Sequence, residues 1–435
     1  MKRSYFQDFV CIDNKYYLHI NFMNMSFLLL DEMAHDLYAT EDNMDLMKNK
    51  NIKLYDELSR LGFLIEDDID EHSITELMRQ MELHDKSMYH LIINPTLDCN
   101  LSCWYCYEDR VKGSRISEEI INGIKRHIEA SYNISPFRSL NLSFFGGEPF
   151  LDFHAIKEIV FAANMFCKPK GINLNIDFTT NGSLITQSEL QMLSDFNCTF
   201  QITLDGNKEQ HNKVKFSRNK DFDAYTATLN NIKQIQKEIR NSYVFLRINF
   251  DKQTLNSFDG ILHDINDLDR RRTTVILKRI WQVGENKVNK DQIIDTINKL
   301  FEKDFVIDYY TQGKLCFAER MNETVINFDG KVFKCTTITK FNDDNSYGKL
   351  NCNTGRIEWN LKKLADCAKN LRPSKCKACR MYPSCYGPCN NHILSGKENC
   401  YVEELDLSKE EYWRNRQTLW GGCTDANPKL LLNDT

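Results

Sequence analysis

DCNLSCWYCYED, residues 98–109, carries Cys99, Cys103 and Cys106 in a C-x3-C-x2-C spacing. A [4Fe-4S] cluster normally takes four thiolates, so a loop that offers three leaves one iron to an exogenous ligand. An open metal position separates a catalytic site from a structural one. Zinc is the competing occupant, but zinc loops usually use C-x2-C pairs matched by a second pair. Here the nearest later cysteine is Cys167. The preceding stretch, SMYHLIINP (87–95), alternates and then runs apolar like a buried strand, which sets the cysteines in a loop at that strand's carboxyl end. Trp104 and Tyr105 fall between the second and third cysteines, where a flat ligand can stack.

Outward from the loop, residues 87–281 alternate short apolar strands with amphipathic helical stretches, the pattern of βαβ units and a parallel sheet. Strands are expected at about 90–95, 139–145, 173–179, 199–204, 244–250 and 274–280. Six strands suit a partial barrel, and in a parallel barrel the functional residues gather at the strands' carboxyl ends. Gly146, Gly147, Glu148 and Pro149 follow the second strand, Thr180, Asn181 and Gly182 the third, and Asp205 and Gly206 the fourth. Paired glycines let backbone approach a ligand, or make a tight turn. Asn-Gly and Asp-Gly are also ordinary turn formers. Arg247, in LRINF, offers a bidentate fork for a carboxylate or for a surface ion pair.

The three-cysteine loop, the GGEP segment and the strand pattern together resemble the radical S-adenosylmethionine (SAM) superfamily, whose hallmark is this loop after the first strand of a partial (β/α)6 barrel. The resemblance implies that the SAM amine and carboxylate fill the open iron. An electron from the cluster then cleaves SAM to a 5'-deoxyadenosyl radical that abstracts hydrogen from substrate, and an electron donor such as flavodoxin or ferredoxin is required. On the matching positions, the backbone of Gly146, Gly147 and Glu148 would hold the SAM amino group. Tyr105 would face the adenine, Asn181 and Asp205 would line the ribose and substrate pocket, and Arg247 would grip the carboxylate.

A second cysteine-rich signal lies toward the C-terminus. Cys376, Cys379, Cys385 and Cys389 form C-x2-C-x5-C-x3-C, preceded by Cys316 and Cys335 and followed by Cys400. FDGKVFKC supplies an Asp-Gly hairpin turn before Cys335. The pattern resembles the SPASM extension of radical SAM enzymes, which holds auxiliary [4Fe-4S] clusters. Carried over, Cys376, Cys379, Cys385 and Cys400 would bind an outer cluster, and Cys316, Cys335 and Cys389 an inner one. Fully ligated relatives carry a further cysteine shortly before the Cys316 position, and DYYTQGKLC has none. The inner cluster is therefore open, bound by a substrate thiolate, or closed by Cys352 or Cys367, while Cys423 competes with Cys400. A zinc ribbon is the alternative, although seven motif cysteines exceed one zinc site. Cys11, Cys167 and Cys198 read as buried small residues.

The N-terminal ninety residues open with extended stretches at about 7–12 and 15–22, followed by helical stretches MSFLLLDEMAHDLYAT and IKLYDELSRLGFLI. The acidic run 66–71 and a helical ITELMRQMEL read as a link to the barrel. The layout resembles the winged-helix peptide-recognition domain fused to many SPASM enzymes that modify ribosomally made peptides. A leader peptide would add to its edge strand by β-augmentation. DNA binding normally needs a basic face, and these helices mix both signs of charge. The resulting expectation is an α/β chain of four parts. Residues 1–86 form the winged-helix-like domain and linker, 87–304 the partial barrel, 305–402 the SPASM domain and 403–435 a helical tail.

Composition fits a globular chain. Of 435 residues 27% are charged and 42% hydrophobic, and the net charge of −5 gives no electrostatic case for nucleic acid. No apolar run reaches membrane-span length and MKRSYFQDFV lacks a continuous apolar signal segment, so a cytoplasmic protein without a membrane partner is expected. Ten of the sixteen cysteines fall from Cys316 onward, which without an export signal reads as thiolate metal ligation rather than disulfides. The expected activity is maturation of a leader-bearing precursor peptide, by thioether, carbon-carbon or carbon-oxygen crosslinking or by epimerisation. An anaerobic sulfatase-maturing enzyme is the alternative. Those enzymes carry an Asp proton acceptor after the second hairpin cysteine, where Thr336 stands here. A zinc-stapled binding module is the non-enzymatic alternative.

Overall fold

The computed structural model describes residues 1–12, 15–217, 219, 221–280, 288–309, 315–369 and 371–396, with positions 400, 402, 412, 430 and 431. They form two compact units. The first gathers the described residues of Met1–His84, Tyr310–Arg320 and Cys367–Thr435, and the second those of Asp85–Tyr309 and Met321–Asp366.

In the first unit, strands β1 (Gln7–Cys11), β2 (Tyr16–Asn21) and β3 (Ser26–Asp31) form an antiparallel sheet in which β1 pairs on one side, with β2. Helices α1 (Glu32–Thr40), α2 (Met44–Lys50) and α3 (Ile52–Arg60) follow. Each is opened by a side chain that accepts from a first-turn amide, Asp31, Asn43 and Asn51 in turn, which satisfies otherwise orphaned donors. The stretch MSFLLLDEMAHDLYAT, expected to be helical throughout, is divided here. Leu28 and Leu30 are buried and alternate with half-buried neighbours as the strand β3 requires, and helix begins only beyond the Asp31 cap. The end of the acidic run is likewise packed rather than a free linker. Glu71, buried, opens α4 (Glu71–Leu83) and accepts from the Ser4 hydroxyl at 2.5 Å and the Tyr5 amide at 2.6 Å.

The second unit is built on one sheet. Strands β4 (Met88–Asn94), β6 (Ser139–Phe144), β7 (Asn173–Thr180), β8 (Asn197–Thr203), β10 (Ser242–Phe250) and β11 (Thr273–Arg279) are the six expected from the sequence. They lie side by side and parallel in that order. The sheet is wider than expected. β12 (Val306–Asp308) extends it parallel beyond β11, and β13 (Glu323–Asn327) pairs parallel with β4 at the other end. From β13 it continues antiparallel through β14 (Lys331–Phe333), β15 (Gly348–Leu350) and β16 (Ile357–Trp359). The β13–β14 hairpin turns at Asp329-Gly330, with Gly330 at φ +77°. Two short strands, β5 (Leu101–Cys103) and β9 (Lys215–Ser217), form a separate antiparallel ribbon.

Period-two alternation separates the two faces of the sheet. Phe144, Phe178 and Phe200 are buried and stack across β6, β7 and β8 with ring centroids 5.6 and 5.0 Å apart, each burial contributing about 1.5–3 kcal/mol. One residue earlier on β6 and β7 the chain turns polar. The Ser143 hydroxyl donates to Asp177 at 3.0 Å, and His90 joins Ser143 at 2.8 Å to Glu323 at 3.0 Å. Helices α5 (Glu118–Ile134), α6 (Phe153–Cys167), α7 (Gln187–Leu193), α8 (Lys208–Val214) and α9 (Ala224–Glu238) are interleaved with the strands.

Within the first unit, one buried ion pair organises the cysteine-rich chain. Arg372 donates to both carboxylate oxygens of Glu319, to Asn390 Oδ1 at 2.9 Å and to the Tyr386 carbonyl at 2.8 Å. The Asn390 amide donates to Glu319 at 3.1 Å. The pair thereby ties the segment after Cys316 to the segment after Cys389. Arg372→Met leaves Glu319 buried without its cation, and such a loss costs about 3–5 kcal/mol. A large fall in the denaturant midpoint is expected for this variant, and an unchanged midpoint would show that the clamp carries no stability.

Candidate metal and cofactor site

The cysteine loop begins where β4 ends. Gly147 and Glu148 donate their amides to the carbonyls of Thr96 at 3.1 Å and Asp98 at 2.9 Å, so the GGEP segment forms the back wall of the loop. Gly146 sits at φ +103°, a left-handed conformation that favours glycine. A Cβ on Gly146 would lie 2.3 Å from the Thr96 carbonyl oxygen, and one on Gly147 2.1 Å from that of Asp98. The close backbone approach expected of these glycines is therefore made to the cysteine loop itself. Glu148 is wholly buried and committed to the protein, accepting from the Thr180 hydroxyl at 2.7 Å and from the amides of Asn181 at 2.8 Å and Phe150 at 3.1 Å. Burial raises its pKa and those bonds oppose the rise.

The far side of the loop is the ribbon. β5 carries Cys103 and pairs with β9, placing Lys215 directly opposite Cys103. Lys215 is 2% exposed. Its ammonium donates to the Thr203 carbonyl at 3.0 Å and stands 3.9 Å from Asp205. Asp205 is fully buried and accepts from the Tyr105 hydroxyl and, at 2.8 Å, from the Asn249 amide. Asn249 in turn donates to the Tyr105 oxygen at 3.1 Å and accepts from Arg247 Nε at 2.9 Å. Tyr105 and Asp205 therefore meet, as expected of residues lining one pocket. Trp104 parts from them at 49% exposure, so of the two aromatics only Tyr105 is buried.

Asn181 reaches the same loop, donating to Asn100 Oδ1 at 2.9 Å and to Cys99 Sγ at 3.8 Å. Arg247, half-buried near the end of β10, makes no ion pair among the described residues. The Asp109 amide donates to Thr339 at 2.8 Å and the Tyr107 hydroxyl to Thr336 at 3.5 Å, tying the loop's exit to the segment that carries Cys335.

No group of three or more His, Cys, Asp or Glu among the described residues converges closely enough to hold a single metal ion. Zinc–sulfur bonds of about 2.3 Å would demand such convergence. The thiols nevertheless feel one another, since Cys103 senses Cys106 and Cys99 senses Cys103. Burial pushes the Cys99 thiol up to about 12, and Arg110 offsets part of that rise. A loop of three spaced thiols beside Arg110, whose guanidinium donates to Ser102 at 3.0 Å, has the donor set that a [4Fe-4S] cluster with one open iron would take.

In the first unit, Cys376 and Cys385 both lie within the electrostatic reach of Cys379 and Cys400, bringing together the four expected outer ligands. Cys316 and Cys389 meet, and a hydrogen bond from Cys316 lowers the Cys389 pKa against the opposing effect of burial. Cys335 belongs to the second unit, as does Cys352. Cys352 packs on α5, its Cα and Sγ each 3.0 Å from where a Gly123 Cβ would stand. Its electrostatic neighbours are Glu119, Lys349 and Arg126. Of the side chain of Cys367 nothing is described, and Cys423 and the helical reading of 409–420 lie outside the described residues apart from Tyr412.

The parallel partial barrel and its three-thiol loop define an α/β protein of the radical SAM type. Residues 93–265 of the chain match the Radical SAM superfamily. That family implies a [4Fe-4S] cluster and SAM as cofactors. The chain is similar to a cysteine-type anaerobic sulfatase-maturating enzyme of Clostridium novyi, 26% identical over 342 residues that cover 71% of this chain and 89% of that protein. It is also similar to the radical SAM cyclopropyl synthase TigE of Paramaledivibacter caminithermalis, 22% identical over 322 residues covering 69% of this chain and 62% of the relative. Among solved structures, native anSMEcpe with bound AdoMet and Cp18Cys peptide aligns with a TM-score of 0.57 at 18% identity, over 77% of this chain and 98% of that one. This last likeness speaks for the fold. No helix among the described residues is long and apolar enough to cross a membrane.

Sequence reasoning missed Lys215, Asn249, Arg110 and the Glu319–Arg372 clamp. Asn249 had a detectable signal, standing two residues after Arg247 on the same face of its strand. Lys215 had none, since a lysine between apolar neighbours reads as the solvent side of a short strand.

Two outcomes test this geometry. Gly147→Ala forces a methyl onto backbone that cannot yield, so the variant should keep its circular dichroism yet lose about four irons per reconstituted chain; full iron retention would show that the wall is dispensable. In metal-free protein at pH 7, brief iodoacetamide treatment read by peptide mass spectrometry should alkylate Cys389 well ahead of Cys99. Cys389 has its pKa lowered and Cys99 raised, and the thiolate is the reactive form.

Proposed function

We propose that this chain is a radical SAM peptide maturase, which abstracts hydrogen from an unreactive carbon of a ribosomally made, leader-bearing precursor peptide and so installs a crosslink or an epimerised residue. The observation that carries the reading is the three-thiol loop at the carboxyl mouth of the barrel, which leaves one iron for an exogenous ligand. When bound, the cluster and SAM supply an oxidising carbon radical, with an electron drawn from a carrier such as flavodoxin or ferredoxin.

Cys99, Cys103 and Cys106 would hold the cluster. Arg247, without an ion-pair partner among the described residues, suits the SAM carboxylate through a bidentate fork. The amides of Gly147 and Glu148 are spent on the loop, so the amino group of SAM would be met by carbonyls of that segment. Tyr105, Asn181 and Asp205 would wall the adenosine side, with Asp205 holding the Tyr105 hydroxyl in place. Two auxiliary [4Fe-4S] clusters would draw on further cysteines, Cys376, Cys379, Cys385 and Cys400 for one, and Cys316 with Cys389 for the other. Among the described strands β1 pairs only with β2, and a leader could add beside it as a strand, in keeping with a winged-helix-like recognition domain at residues 1–86.

A second reading is favoured by the match to the sulfatase-maturating enzyme over 71% of this chain. It predicts oxidation of a cysteine or serine to formylglycine instead of a crosslink. Thr336 in place of an acidic proton acceptor weighs against it.

Anaerobically reconstituted protein should hold about twelve irons and as many sulfides. A Cys99/Cys103/Cys106→Ala variant should lose about four irons and all production of 5'-deoxyadenosine. Incubation with a precursor peptide encoded beside the gene should then change that peptide's mass outside its leader, and a formylglycine in a sulfatase peptide would establish the second reading. Zinc without iron, and intact SAM, would overturn both.

A further inference from the structure

The charge arrangement beneath the cysteine loop is unusual for a buried site. Glu148 and Asp205 are fully buried carboxyl groups, the first within electrostatic reach of Cys99 and the second of Cys103. Arg110 lies on the loop's outer side, where its guanidinium donates to the Ser102 hydroxyl at 3.0 Å and to the Leu101 carbonyl. On the inner side the ammonium of Lys215 is within 4 Å of a carboxylate, 3.9 Å from Asp205. A lysine of 2% exposure is rare unless paired, and a buried cation costs several kcal/mol unless its surroundings compensate it.

Two independent features fix where that cation sits. The β5–β9 register sets Lys215 directly across from Cys103, and directly opposed residues place their Cβ atoms about 5 Å apart on one face. The ammonium is then held from the other side by the Thr203 carbonyl at 3.0 Å, at the carboxyl end of β8. The side chain therefore bridges from the ribbon to the barrel wall, with Cys103 at one end and Asp205 at the other. The electrostatic neighbours of Cys103 are Lys215, Asp205, Cys106 and Arg110, and Lys215 favours its thiolate.

We propose that Lys215 is a charge-balancing positioning residue, whose buried ammonium opposite Cys103 offsets the negative charge of the thiolate loop and makes a cluster held there easier to reduce. The proposal rests on the assignment of a [4Fe-4S] cluster to Cys99, Cys103 and Cys106. One-electron reduction adds one negative charge to the site, so a fixed cation nearby stabilises the reduced state more than the oxidised one. The net charge around a cluster is one of the determinants of its potential, and low dielectric makes a buried charge act more strongly than a surface one. Without the ammonium, the same electron would be added beside two buried carboxyl groups, with Arg110 acting on Cys103 and Arg247 on Asp205 as the neighbouring cations among the described residues.

The test uses the full chain, reconstituted anaerobically, as wild type, Lys215→Met and Lys215→Arg. Each is titrated with dithionite as the one-electron donor and followed by electron paramagnetic resonance, with iron, sulfide and SAM affinity measured on the same samples. To isolate the signal, all three are made with the auxiliary cysteines intact and compared with a Cys99/Cys103/Cys106→Ala control, which identifies the resonance of this cluster. Lys215→Met should keep its iron and shift the midpoint potential to a more negative value, while Lys215→Arg should titrate as wild type. Should Lys215→Met lose about four irons, restoration of both iron and potential by Lys215→Arg supports the charge, and failure of Lys215→Arg overturns it in favour of a shape requirement. An unshifted potential in Lys215→Met overturns the proposal, including the case in which SAM affinity falls and Lys215 proves to be a SAM ligand. Wild-type protein whose iron is unaffected by the triple substitution would fail the underlying cluster assignment, an outcome distinct from all of these.

Discussion

The site depends on a contact between two stretches of backbone. Gly146 and Gly147 lie so close to the carbonyls of Thr96 and Asp98 that no side chain fits between them, and the amides of Gly147 and Glu148 close the gap with hydrogen bonds. A loop of cysteines is otherwise free to adopt many shapes, and ordering its backbone costs about 1–2 kcal/mol per residue. The glycine wall offsets that cost with main-chain bonds whose geometry does not depend on rotamers. Glu148 then transmits the position of the wall to β7 through Thr180 and Asn181, and Asn181 returns to the loop at Cys99. Strand ends β4, β6 and β7 are thereby linked in a closed circuit beneath the thiols.

The circuit has an electrical counterpart. Burying Glu148 and Asp205 below a thiolate loop concentrates like charge in low dielectric, which disfavours ionisation of every member. Neutral donors relieve part of this, with Thr180, Tyr105 and Asn249 each donating to a carboxylate. Arg110 and Lys215 carry the opposite charge, one along the outside of the loop and one through its floor. Arg247 bonds to Asn249 and acts electrostatically on Asp205.

Much of the parallel sheet was legible because its strands are short apolar stretches that alternate buried residues with less buried neighbours. IINP before Cys99, FLRINF and TVILKR all announce themselves in this way. β12 and β13 escaped because three and five residues are too few to show a period. MSFLLLDEMAHDLYAT misled because a short apolar run fits a strand and a helix alike, and only the Asp31 side chain marks the boundary. At the site, cysteines and glycines were legible since their chemistry is spelled by spacing. Lys215 was not, because its importance comes from a cross-strand register between segments more than one hundred positions apart in the chain, and register leaves no local trace. Nor was the role of Glu148, whose carboxylate is consumed within the protein.

The cysteine-rich part of the first unit solves a similar problem by different means. There the segments after Cys316 and Cys389 are joined through side chains, with Arg372 reaching Glu319, Asn390 and the Tyr386 carbonyl at once. A buried ion pair of this kind is a poor source of net stability but a strict specifier of geometry, since either partner alone is intolerable. Its planar fork fixes direction as well as distance. Backbone contact serves the three-cysteine loop, where glycine lets two stretches of main chain meet directly. A side-chain clamp serves the cysteines of the first unit, where it holds together segments that are distant in the chain.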